Sequence, residues 1–196
     1  ELLLYFTYRI GNLDLVIFMR TLLISVAFFL VAYEARRRST SWRIAALALG
    51  ILSLMTVNNL VVRPQIWAWI PFAIYLVVLG KFADGELKPV WLSLLPLLMV
   101  FWVNGHGSFI LGGVLIGVFF VGETIRTILH LFGARSWREV ALLFLTGLAS
   151  GIAMLANPRG LRIVGYVSDL LTDQPSQKLI VEWQSPTPAG IANIVF

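Results

Sequence analysis

The chain has no cysteine. That excludes disulfide staples, thiolate metal sites and a cysteine nucleophile within its 196 residues. Histidine is almost as scarce: His106 and His130 lie far apart, with no HExxH-type spacing between them. No metal-ligand set is visible, and no cofactor is identified from the residues. Charge is thin as well, at 13% of residues against 59% hydrophobic, and mean hydropathy is +0.86. Such a composition is too apolar for a soluble domain and reads as an integral membrane protein, with the lipid bilayer as its first partner. The net charge of +5 does not point to nucleic acid, because the cations follow the loops and form no basic stripe. No repeat of 20 to 50 residues is present.

A spanning helix needs about 20 mostly apolar residues. Six stretches qualify, at about 13–33, 44–62, 66–83, 89–104, 108–129 and 139–156. The fold class expected is therefore all-α, a polytopic transmembrane helix bundle forming one domain over 1–196. The fourth stretch is short and carries Pro89 and Pro96, which predicts a tilt, a kink or partial insertion. The chain starts at Glu1 and ends in the apolar run Ile191 to Phe196, so it reads as a piece of a longer polypeptide.

Lys and Arg set the orientation, because short cytoplasmic loops are enriched in them. One set of alternate loops carries nine: Arg36, Arg37, Arg38, Arg43, Lys81, Lys88, Arg126, Arg135 and Arg138. The other carries five: Arg9, Arg63, Arg159, Arg162 and Lys178. The first side is expected to be cytoplasmic, which puts both ends of the chain outside. Arg20 falls within the first span, where a cation is costly unless it is paired, functional or snorkelling to the interface. Asp14, six residues away, is too distant for a good same-face pair.

Four polar clusters fall on the outer side. They are Asn58-Asn59 with Arg63-Pro64-Gln65, then Asn104-Gly105-His106-Gly107-Ser108, then Asn157-Pro158-Arg159-Gly160, and Glu182-Trp183-Gln184-Ser185-Pro186. Each alone reads equally as a wet turn between helices, with Asn as a cap and glycine permitting the bend. Their common side is what marks a functional surface. Residues 161–172 have apolar positions near helical spacing, which suits an outer interfacial helix or a short helix packed over the bundle. Gly113-x-x-x-Gly117 and Gly147-x-x-x-Gly151 permit close helix packing.

The residue types define a chemistry. Arg63 and Arg159 suit a phosphate or diphosphate through forked, charge-assisted hydrogen bonds. His106 is the outer histidine, fit to act as a base or, when protonated, to hold phosphate. Glu182 is the most suggestive carboxylate, and Trp183 beside it can stack on a sugar or sit in the interfacial belt. Phospholipid anchoring and local ion pairing are the structural alternatives for the same residues.

Glu1 to Tyr5, Arg63-Pro64-Gln65, the run Trp102 to Phe109, Asn157-Pro158-Arg159-Gly160 and Glu182 to Pro186, in that order, resemble the GT-C superfamily. These are bacterial membrane glycosyltransferases that use polyprenyl-phosphate sugars. Arg159 departs from the aromatic that more often follows Asn-Pro in that group. The resemblance implies a bacterial inner-membrane protein that transfers a sugar from a polyprenyl-phosphate donor on the extracytoplasmic face. It further implies a catalytic carboxylate in a first outer loop, upstream of Glu1, as base or as the carboxylate of a divalent metal. Substrate contacts are then expected at Arg63, Gln65, Asn104, His106, Asn157, Arg159, Glu182 and Trp183. The competing readings are a transporter or flippase for a lipid-linked or anionic substrate, and a non-catalytic membrane subunit. Polar groups gathered at one end of apolar spans favour surface chemistry over translocation, since transporters place such groups near the midplane.

Overall fold

In a bilayer the backbone must satisfy its own hydrogen bonds, so a chain this apolar folds into helices. The computed structural model describes residues 2–56, 60 and 62–172 and contains seven α-helices and no strand among them. They are α1 (Leu2–Ser39), α2 (Trp42–Thr56), α3 (Ile66–Ala83), α4 (Leu94–Gly105), α5 (Ile110–Ile128), α6 (Trp137–Ala153) and α7 (Arg162–Thr172). The protein is an all-α membrane bundle. Leu2–Ser39, Ile66–Ala83 and Gly107–Ile128 are long and apolar enough to cross a membrane, while Trp42–Thr56 and Pro89–Gly105 are shorter apolar helices. The sixth expected span is the 17-residue α6, whose first turn holds Arg138 and Glu139. The end of the second expected span, with Asn58 and Asn59, lies outside the described residues.

Local chemistry sets the boundaries. α1 starts well before residue 13 but is broken at Gly11 and Asn12, where Asn12 takes φ 53° and ψ −156°. The break falls where the first span was expected to begin. Pro89 opens a 3-10 turn (Pro89–Ser93), and Pro96 occupies the first turn of α4. An N–H has no intrahelical partner at either place, so neither proline interrupts the helix. Ser136 caps α6 reciprocally with Glu139, a capping box that marks the start of that helix.

α3 is the central element. Ile66, Tyr75, Leu79 and Phe82 are fully buried along it, and it packs against α1, α4 and α5. Trp102 of α4 meets Tyr75 edge-on at 5.4 Å and Phe72 at 6.3 Å. The Tyr75 hydroxyl donates to the Leu95 carbonyl at 2.7 Å, joining α3 to α4. Gly112 lets α5 approach this aromatic cluster: a Cβ there would stand 2.8 Å from Met99 Cε, 3.0 Å from Trp102 Cζ3 and 3.1 Å from Tyr75 Cε1. Large apolar side chains such as Phe18, Leu47, Val118 and Ile152 face outward, the surface a bilayer would cover.

Both hands of the topology end in polar groups, with different outcomes. At one end the C-termini of α1, α3 and α5 meet the start of α6. Arg37 there contacts Glu34 at 2.6 Å and both Asp84 and Glu86 at 2.8 Å, while Arg126 contacts Glu123 at 2.6 Å. Arg135 pairs with Glu139 and lies over the Phe82 ring. Arg37 thus ion-pairs the end of α1 to the loop after α3, Arg126 reaches the Ala83 carbonyl at 3.4 Å, and the Arg126–Glu123 and Arg135–Glu139 pairs are local. The opposite end holds the α4–α5 turn, the start of α3 and the α6–α7 turn.

Candidate functional site

The start of α3 and the α4–α5 turn border a cavity of about 410 Å³. Its body is apolar: Ala27, Phe28 and Val31 of α1, Leu52 of α2, and Ala68, Trp69, Phe72 and Ala73 of α3. Phe28 stacks on Trp69 at 6.2 Å across the α1–α3 wall. Thr56, Gln65, His106 and Ser108 supply the polar rim, with Trp102 and Leu111 completing the lining. None of the lining residues is charged. Volume and lining are those of a small-molecule site, mostly apolar with a few polar groups.

The turn is held by a chain of hydrogen bonds. α4 ends at Gly105, and the extended backbone of His106 caps the short 3-10 turn Gly107–Phe109. The His106 ring accepts the Ser108 backbone N–H at Nδ1 (3.2 Å) and lies 2.9 Å from Ser108 Oγ through the same atom. Trp102 Nε1–H donates to Ser108 Oγ at 3.1 Å. Burial lowers the His106 pKa below its ordinary value of 6.5. The ring is therefore neutral at pH 7, and the imidazolium that would attract phosphate by charge is disfavoured.

The expected site residues separate into four groups. Gln65 and His106 share the cavity rim. Arg63 precedes Gln65 by two residues and is exposed outside the lining. Asn104, Asn157 and Arg159 are engaged elsewhere at the same end. Asn104 Nδ2 donates to the Val100 carbonyl at 2.8 Å and the Ala156 carbonyl at 2.7 Å, pinning the end of α4 to the end of α6. Asn157 Oδ1 accepts the Arg159 N–H at 2.8 Å in an Asx-type turn, and the Arg159 guanidinium lies 4.4 Å from the Tyr166 ring centroid. Glu182 and Trp183 lie outside the described residues.

Sequence reading did not identify the apolar walls of the cavity, which come mainly from α1 and α3 with Leu52, Trp102 and Leu111 added from α2, α4 and α5. Their residues look like any span residue until α1, α2 and α3 are packed. Trp102 and Ser108 were visible within the motif, but their hydrogen bonds to the histidine depend on the turn's geometry. Arg20 lies on the same α1 stripe as the buried residues Val16, Leu23 and Ala27, and its Nε is buried without a hydrogen-bond partner. Asp14 is exposed. Among the described residues, no group of three or more His, Asp or Glu side chains is placed to hold a metal ion.

Compared with family models, with curated proteins and with solved structures, the chain finds no match.

Proposed function

We propose that this protein acts on a lipid-linked sugar, taking the isoprenoid chain of a polyprenyl-phosphate donor into the cavity and transferring the sugar at the α4–α5 end. In this reading that end faces the extracytoplasmic side of a bacterial inner membrane. The observation that carries the proposal is the cavity itself, apolar along three helices and polar only at its rim. A chain in the apolar body brings its phosphate to Gln65, His106 and Ser108, with Arg63 next along the sequence. In the reaction, the acceptor hydroxyl oxygen bonds to the anomeric carbon as the bond from that carbon to the phosphate oxygen breaks. The bonding pair leaves with the phosphate, and the hydroxyl proton passes to a carboxylate outside the described residues. Positioning and neutralisation of the leaving phosphate are what such a site contributes.

Transport of the same substrate is the second reading. The ion network at the opposite end favours transfer over transport, because Arg37, Asp84 and Glu86 tie together the loops that a through-passage would have to separate.

The test is photo-crosslinking in vesicles with a photoactivatable polyprenyl-phosphate sugar, read alongside sugar transfer. Labelling of α1 and α3 lining residues is expected, and Ala27→Phe should suppress it by filling the cavity. Labelling spread over the lipid-facing surface and unchanged by Ala27→Phe would remove the reading.

A further inference from the structure

We infer that the α4–α5 turn is a fixed hydrogen-bond donor, with Trp102 and Ser108 as positioning residues that hold His106 neutral with its proton on Nε2. The inference rests on the lipid-phosphate reading for its ligand but not for its geometry. A backbone N–H points at Nδ1 from Ser108 at 3.2 Å, so that nitrogen cannot itself carry a hydrogen. This contact is local, between residues two apart, and only Nδ1 is close enough to the main chain to make it. Ser108 Oγ accepts from Trp102 Nε1–H at 3.1 Å, which leaves the serine's own proton to point at Nδ1 across 2.9 Å. Indole N–H is a donor only, so Ser108 Oγ is an acceptor towards Trp102, which is 1% exposed, while the direction at the ring is set by the Ser108 backbone N–H. The Ser108 backbone N–H therefore assigns the tautomer, and the hydroxyl and Trp102 are compatible with it: the ring hydrogen on nitrogen is at Nε2.

The consequence is a ligand preference. His106 lines the cavity, and in this inference its Nε2–H is the donor that a ligand meets, which selects an acceptor oxygen, such as one on a phosphate ester. As held, His106 is not a general base, because its free edge already carries the proton. Its part in transfer is to stabilise the departing phosphate oxygen. An ammonium-headed amphiphile of the same chain length has donors where the site also has a donor, and is disfavoured.

The experiment is nitrogen-15 NMR of the whole protein in nanodiscs with labelled histidine. His130→Asn removes the second histidine signal; that residue has φ 51°, which asparagine accepts. The His106 ring is expected to show a protonated Nε2 and a bare, hydrogen-bonded Nδ1 at pH 7. Ser108→Ala should shift Nδ1 by removing the hydroxyl contact while the backbone N–H keeps the tautomer, and Ser108→Thr, which keeps the hydroxyl, should restore the original pattern. Farnesyl phosphate should shift Nε2, and farnesylamine should not. A proton on Nδ1, an imidazolium at pH 7, or a Ser108→Ala spectrum identical to the parent would each overturn the inference, the first two without any change at Ser108. A protonated Nε2 that responds to neither amphiphile would support the tautomer assignment and instead remove the lipid-phosphate reading of the cavity.

Discussion

Gly112 shows how little room the packed centre leaves. A methyl group there meets the tips of Met99, Trp102 and Tyr75 at 2.8 to 3.1 Å. Met99 can swing aside, but the two rings are buried against one another. Gly112→Ala is expected to destabilise the protein by about 1–3 kcal/mol, as overpacking usually does. Thermal unfolding in detergent measures the loss, and Gly117→Ala, where nothing lies within 4 Å of the added carbon, is the matched control with no loss expected. At His106 the sign of the pH effect follows from burial. Its pKa is lowered in the folded state, so on acidification the unfolded chain takes up the proton first. The stability tied to the neutral ring is complete above about pH 6.5 and is lost as pH falls below it. The melting temperature should fall between pH 7 and pH 5, and by less in His106→Gln. No charged side chain lines the cavity to offset this trend.

At the level of elements, α3 and α4 are joined by a hydrogen bond that apolar packing does not replace. Tyr75→Phe keeps the ring contact with Trp102 but deletes the donor to Leu95, and should cost about 1 kcal/mol in unfolding free energy. A measured loss near zero would mean that the ring alone carries the junction. Several of these elements were legible in the chain. The polar turn after Val103 acts over a few residues, so sequence carries its signal; the prolines at 89 and 96 were read as a source of tilt or kink but stand at helix starts, and the Ser136–Glu139 cap was not read. The kink at Gly11 and Asn12 was not read as such, because a helix can pass through either residue and only the dihedral angles reveal that this one does not. Residues 162–172 form the helix expected there, and packing resolves how it starts: Ile163 is 6% exposed within the core cluster, so its first turn is seated on the bundle. Asn104 looked like a substrate contact or a cap. Its amide bridges to Ala156 at 2.7 Å, a partner that sequence separation hides.

At the scale of the whole molecule, one end is fastened by ion pairs and the other contains the cavity. Arg37 is the hub of the fastened end, and Arg37→Ala would leave Glu34 and Asp84 with Arg38 as their remaining cation and Glu86 without its Arg37 contact. A loss of about 2 kcal/mol is expected, discounted for the partial exposure of Asp84 and Glu86. High salt should narrow the gap between parent and variant. Orientation is directly testable because the chain has no native cysteine. If the cavity end faces outward, Leu161→Cys reacts with an impermeant maleimide on intact cells, and Phe132→Cys reacts only after permeabilisation. Both positions are exposed in the fold. The reverse pattern would invert the proposed topology.

Composition and hydropathy by themselves determined that this is a helical membrane protein, because a long apolar run has few ways to satisfy its backbone in lipid. The alternation of charged and polar loops likewise determined that two chemically different groups of loops exist. Only the tertiary structure decided that the arginine-rich loops interlock, and that Gln65 and His106, far apart in the chain, border one cavity walled by α1, α2 and α3. Those outcomes depend on which face each helix turns inward. In spans that are apolar all round, such as α3, the pattern of residues does not encode that face, so packing has to choose it.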